Sequence, residues 1–195
     1  MKITTRELIL VSLFAALTAI GAFIQIPITV VPVTLQYVFC AFSGVFLGAR
    51  LGLYSQLLYV AIGLCGVPVF TKGGGPSYVL IPTFGYLLGY ILCALIIGYL
   101  IEKQDEFSFF NILKCVLPGL AAVYIVGVPY LYMILHYYLK KPIDFSDAMT
   151  FGFYPFIIKD LVISIVIAIA ATRVIPVLKR AGYFKVRSKT GVKEI

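Results

Sequence analysis

Apolar positions in this chain run in long unbroken blocks. No Asp, Glu, Lys or Arg occurs in 8–49, and further charge-free stretches cover 51–71, 73–101 and 115–139. A helix needs about 20 apolar residues to cross a bilayer core, so these are membrane-length blocks. Helix-breaking residues divide them into six spans: 6–25, 34–48, 51–66, 83–101, 111–139 and 156–178. The breaks fall at Pro27 and Pro32, at Gly48, Arg50 and Gly52, in the loop 68–82, in the charged run 102–106, and in 140–155. The second and third spans are short for a bilayer, which predicts tilt or cover by protein. The fifth holds Pro118 and Pro129, which predicts a kink and a start in the interface. A membrane β-barrel would alternate over strands of about ten residues, and these runs do not alternate. The pattern predicts an all-α integral membrane protein, with one six-helix domain over 1–178 and a basic tail over 179–195.

Composition sharpens this. The chain has 195 residues, 62% of them apolar and 12% charged, with mean hydropathy +1.04. Soluble domains run near 45–50% apolar and about 25% charged. The figures exclude a soluble enzyme, a disordered chain and a disulfide-stapled secreted domain. Lys2 and Arg6 precede an apolar run that leads into further spans, so the first span is expected to stay uncleaved. Six spans put both termini on one side. That side carries 12 of the 16 Lys and Arg residues, six of them in the tail, against Lys72, Lys140, Lys141 and Lys159 on the other. The asymmetry predicts cytoplasmic termini, with the tail facing anionic lipid rather than nucleic acid. The 14 tyrosines are expected to supply the interfacial aromatics, since Trp is missing. Cys40, Cys65, Cys93 and Cys115 show no CxxC spacing and are expected as small buried hydrophobes on separate helices.

The unusual chemistry gathers in the outer loops. By this topology Gln36, Tyr86 and Asp160 lie near the outer ends of their helices, with the loop Lys72-Gly73-Gly74-Gly75-Pro76-Ser77-Tyr78 over them. Polar groups from separate spans, gathered at one membrane face among apolar residues, describe a small-molecule pocket. Each has a plainer reading. Asp160 suits the first turn of a helix, Gln36 suits interhelical glue, and the glycines suit a flexible linker. Against these, ionisable groups beside a span are costly and point to function, and a Pro-flanked 15-residue loop suits a lid whose backbone N–H groups hold a carboxylate or carbonyl. Lys159 and Asp160 are helix neighbours and are expected to diverge, one to the pocket and the other to the headgroups. His136 is the single histidine, so no histidine-based metal site is expected. Asp144 and Asp147 form a lone DxxD, a weak pointer to magnesium–diphosphate chemistry. Pro142 and Ser146 beside them favour an ordinary capped turn. No nucleotide motif is visible. On the first span Ser12, Ala15, Ala19 and Ala22 make a stripe of small residues, with Ala15 and Ala19 as an AxxxA pair. The stripe suits packing within the bundle or docking of a membrane partner.

The run Val31-Pro32-Val33-Thr34-Leu35-Gln36, the loop Gly66-Val67-Pro68-Val69-Phe70 with Gly73–Gly75, and Pro82-Thr83-Phe84-Gly85-Tyr86-Leu87-Leu88-Gly89 resemble the BioY family, the biotin-binding S components of energy-coupling factor (ECF) transporters. The resemblance covers most of 8–178. It implies an S-component-like bundle of six helices in the plasma membrane, with high affinity for biotin. Biotin would pass to a transmembrane T component and two cytosolic ATPases, with Ala15 and Ala19 facing that partner. No cofactor is implied beyond the ATP used by the partner subunits. Tyr, Phe and Val, Tyr78 and Tyr86 among them, would take the bicycle, Asp160 and Gln36 the ureido group, and Lys72 or Lys159 with Gly73, Gly74 and Gly75 the carboxylate. One motif departs. Relatives carry Pro-Gly-Asp with Lys three places on, whereas this chain has Ile158-Lys159-Asp160 and then Ile163. Three rival readings stay open: an S component for another vitamin, a diphosphate-dependent membrane enzyme, and a solitary carrier without ATPase.

Overall fold

The computed structural model describes residues 3–26 and 31–180. The helices are α1 (Thr5–Phe23), α2 (Gln36–Leu64), α3 (Phe84–Ile101), α4 (Phe109–Met133), α5 (Phe145–Gly152) and α6 (Tyr154–Arg180). A π-helical turn, Ile134–Tyr138, extends α4. Among the described residues five helices are long and apolar enough to cross a membrane.

The sixth passage comes from α2, which folds back on itself. Gly48 has φ +80° and interrupts the helix. Beyond it, a Cβ on Gly52 would lie 3.2 Å from the Gly44 Cα, and Gln56 Nε2 reaches Ser43 Oγ at 3.3 Å. Thirteen residues of straight helix would separate Gln56 from Ser43 by about 20 Å. The two limbs, 36–47 and 49–64, therefore form a tight antiparallel hairpin, broken where the Gly48–Gly52 punctuation predicts. Glu102, one residue past α3, caps the break by accepting the Ala49 N–H at 2.8 Å. Gly98 lets α3 approach, since a Cβ there would lie 2.3 Å from Ala49 N. The first limb rises only about 18 Å. The extended residues 31–35 precede it, and such backbone is tolerated at membrane depth where protein buries it or a cavity borders it.

The bundle core is α2, α3 and α4. α1 packs on α2, and α6 packs on α4 and α2. Thr4 and Glu7 start α1 as a capping box. Its inner face is Val11, Ala15, Thr18 and Ala22. Ile158, Val162, Ile165, Val166 and Ile169 of α6 are exposed, the outward face expected against lipid tails. α4 carries both Pro118 and Pro129 within one helix.

Two expectations are corrected. The break 140–155 contains α5, started by Asp144 and Asp147: the Asp147 carboxylate accepts the Asp144 N–H at 2.9 Å. The DxxD spacing is a helix cap here, as Ser146 and Pro142 suggest. Of the cysteines, Cys65 is exposed at the end of α2, while Cys40, Cys93 and Cys115 are buried. Helix α6 runs to Arg180, two residues into the expected tail. Lys2, Pro27 and the tail charges beyond Arg180 lie outside the described residues.

Candidate functional site

The starts of α2, α3 and α6 meet at one end of the bundle and border a partly open cavity. Its cover is local and rests on two loops. One is the two-residue ladder β1 (Gln25–Ile26) with β2 (Val33–Thr34), paired antiparallel as Gln25 with Thr34 and Ile26 with Val33. The other is the loop from Cys65 to Thr83.

The second loop is built on Gly63. The Phe70 ring occupies the space above that glycine, and a Cβ there would lie 2.0 Å from the ring. Tyr59 and Tyr78 flank Phe70 at 5.4 and 4.4 Å between ring centres. The Gly75 N–H binds the Gly63 carbonyl at 2.7 Å, and the Gly73 N–H binds the Phe70 carbonyl at 3.2 Å. Gly73 and Gly75 have φ near +105°, a conformation that suits glycine. Thr71 and Thr83 hydroxyls lie 3.0 and 3.4 Å from the Tyr78 hydroxyl, stitching the two ends of the loop together.

Six of the sixteen lining residues are aromatic, and several of the polar groups sit in one connected chain. Tyr124 on α4 donates its hydroxyl to Asp160 Oδ2. Lys159 Nζ lies 2.7 Å from Asp160 Oδ1 and donates to the Thr34 carbonyl at 3.1 Å. Thr34 Oγ1 donates to Gln36 Oε1, Gln36 Nε2 to the Tyr59 hydroxyl at 2.8 Å, and Tyr59 to the Val69 carbonyl at 3.2 Å. The chain thus runs from α6 through the extended segment and α2 to the glycine loop. Deeper in, Tyr37 and Ser164 hydroxyls are 2.8 Å apart, and Tyr86 donates to the Gly152 carbonyl, joining α3 to the end of α5. Asp160 is buried, and Oδ1 has the ammonium close by without a well-aligned hydrogen bond. A buried carboxylate needs such partners, and the ammonium and the Tyr124 hydroxyl supply them. Three helix starts also turn their positive dipole ends toward this cavity.

Of the residues expected at the site, Gln36, Tyr78, Tyr86, Lys159 and Asp160 line the cavity. Lys72, Gly73, Gly74 and Gly75 lie outside its lining; Lys72 is exposed, the Gly73 amide is engaged within the loop and the Gly75 amide on α2. The expected divergence of Lys159 and Asp160 is corrected: both border the cavity and touch, because the flexible four-carbon stem of lysine bends back past its own helix turn. Ala15 is buried against the bundle and Ala19 half-buried, so the AxxxA pair lies largely toward α2. His136 accepts or donates at Nδ1 to the Ile143 carbonyl, 3.0 Å away, and stacks on Tyr132. Reasoning from the sequence missed Tyr37, Tyr90, Tyr124, Thr71 and Phe156, which also line the cavity. Tyr86 and Tyr90 share a helical face at a four-residue spacing, a usable signal. Tyr124 carries none, because it sits mid-span among apolar residues.

The comparisons agree with this architecture. The profile of the BioY family matches residues 1–180. A probable biotin transporter BioY of Lysinibacillus sphaericus is 44% identical over 93% of each chain. The biotin transporter BioY of Thermotoga maritima is 39% identical over 86% of this chain and 95% of its own. Among solved structures, the S-component for biotin from an ECF-type ABC transporter superposes with TM-score 0.76 at 25% identity, covering 90% of this chain and 95% of that one. A folded-back second helix, a cavity ringed by the starts of three helices, and similarity along nearly the whole length lead to one assignment: this chain belongs to the BioY family.

Proposed function

We propose that this protein captures biotin and takes it up across the plasma membrane as the substrate-specific subunit of an ECF-type ABC transporter. The observation that carries the reading is the cavity itself: a buried carboxylate, Asp160, paired with Lys159 and Tyr124 among tyrosines and threonines. Biotin offers matching chemistry. Its ureido N–H groups are donors for Asp160, and its fused rings suit walls built from Tyr86, Tyr90, Tyr124 and Phe156. The relatives named as biotin transporters support the same ligand.

The reading extends to partners. Uphill transport needs an energy source, and the described residues carry no nucleotide motif, so a transmembrane T component and two cytosolic ATPases supply the work. The excess of Lys and Arg on the side of the termini supports cytoplasmic ends and a cavity that opens outward. Titration calorimetry of the purified protein tests the ligand. Biotin should bind stoichiometrically, whereas thiamine and riboflavin should give no heat. A preference for either of those vitamins overturns the reading.

A further inference from the structure

Among the described residues, α5 contributes none to the lining of the cavity, yet its last turn supports two of the lining tyrosines. The Tyr86 hydroxyl on α3 donates to the Gly152 carbonyl at 2.8 Å. The last carbonyls of a helix lack partners within it, so this bond also satisfies the end of α5. The next residue, Phe153, sets its ring edge-on to Tyr124 at 4.9 Å between centres, and Tyr124 meets Tyr86 edge-on at 6.5 Å. Two glycines make room for the Tyr86 ring. A Cβ on Gly127 of α4 would lie 2.6 Å from its Cδ1, and a Cβ on Gly152 would overlap its hydroxyl oxygen. Both positions are helical, where alanine is the better residue, so glycine there answers to space. With α4 and α5 pressed on the ring, the open side of Tyr86 is the cavity.

We infer that Gly152 is a positioning residue for ligand binding. Its carbonyl and its lack of a side chain fix the Tyr86 ring at the cavity wall, and so set the room left for the ligand's ring system. A methyl group at 152 drives the hydroxyl off the carbonyl and the ring into the cavity. Gly152 acts through Tyr86 and touches no ligand itself. The inference rests on the biotin reading for the identity of the ligand, and on geometry alone for the tie between Tyr86 and α5.

Two measurements test it separately. The first needs no ligand: a double-mutant cycle on the melting temperature of the purified protein in detergent. Gly152→Ala should lower the melting temperature when Tyr86 is intact. In the Tyr86→Phe background the drop should shrink to about half or less, because the nearest ring carbon then stands 3.6 Å from the new Cβ. The remaining neighbour, Leu131 Cδ2 at 2.6 Å, ends a flexible side chain that can turn aside in both backgrounds. An equal drop in both backgrounds overturns the tie. Should Gly152→Ala fail to fold, the double variant decides: a folded double variant supports the tie, and an unfolded one overturns it.

The second is calorimetry with biotin and with dethiobiotin, which lacks the sulfur-containing ring. Overpacking of this kind corresponds to a loss of about ten-fold or more. Gly152→Ala should weaken biotin by that factor and dethiobiotin by less. In the Tyr86→Phe background the same substitution should cost biotin less than about three-fold. A loss equal for the two ligands, or equal in the two backgrounds, shows that Gly152 serves the fold alone and overturns the inference, as does an unchanged affinity for biotin. Absence of biotin binding by the unaltered protein removes the substrate reading instead, and leaves the melting cycle to decide the tie.

Discussion

Asp160 shows how much one side chain can carry. Its Oδ2 takes the Tyr124 hydroxyl and its Oδ1 faces the Lys159 ammonium, all inside a largely apolar enclosure. Replacing the acid by Asn removes the charge while keeping the shape. It should weaken biotin binding by about 1–3 kcal/mol, since one of two acceptor oxygens becomes a donor and Lys159 is left uncompensated. Calorimetry on Asp160→Asn reads this, and an affinity equal to the unaltered protein's removes Asp160 from the contact. Tyr124→Phe should cost less, about 0.5–1.5 kcal/mol, because it deletes a neutral donor to the same carboxylate. Asp160 was legible in the sequence, since an isolated acid beside a long apolar run is conspicuous. Tyr124 was not, because a tyrosine among apolar residues has the same appearance whether it packs or binds.

The elements place these side chains by close approach. The hairpin in α2 depends on Gly48, whose φ of +80° disfavours any other residue and where a Cβ would displace the Glu102 carboxylate from its cap. Gly48→Ala should lower thermal stability, by at least about 1 kcal/mol from the backbone alone. A thermal melt in detergent measures it. Gly63 does the same work for the outer loop: Gly63→Ala should push Phe70 off its seat, weaken biotin binding and loosen the segment 65–83 in hydrogen exchange. Binding and exchange like those of the unaltered protein would show that Phe70 does not anchor the loop. The break at Gly48 was legible from Gly and Arg punctuation. The glycine loop was legible as a loop, yet the direction of its amides was not. Backbone N–H groups of Gly73 and Gly75 turn inward to Phe70 and Gly63, a choice made by tertiary contacts. Helix α5 escaped for a related reason: eight residues after a proline resemble a turn until Asp144 and Asp147 cap it.

At the scale of the bundle, α1 is joined to both α2 limbs by a fully buried polar knot. Gln56 Nε2 lies within 3.2–3.3 Å of the Thr18, Ser43 and Ser55 hydroxyls, while Gln56 Oε1 has no hydrogen-bond partner among the described residues. Each hydroxyl already donates to a backbone carbonyl on its own helix, to Phe14, Cys40 and Gly52. Removing the amide therefore strands no donor, and Gln56→Met should leave the melting temperature unchanged or raise it. A drop of several degrees would show that the knot holds the helices together. The small-residue stripe on α1 bears on assembly. Ala15 faces the core, so a bulky residue there perturbs the fold itself, and half-buried Ala19 is the cleaner probe. Ala19→Leu should reduce co-purification with a T component while leaving biotin binding by the isolated subunit intact. Undiminished co-purification would place the docking face elsewhere.

The sequence by itself determined the solvent and the plan: charge-free blocks of bilayer length can bury themselves only as helices in lipid, and glycine, proline and charge mark where they turn. It also singled out Asp160, Lys159 and Gln36, because polar groups beside such blocks are costly unless they find partners. Tertiary structure alone decided how they are joined. Lys159 bends back onto Asp160 and across to Thr34, 125 positions earlier in the chain. No local pattern encodes that distance, since it exists only once the starts of α2, α3 and α6 meet around one cavity.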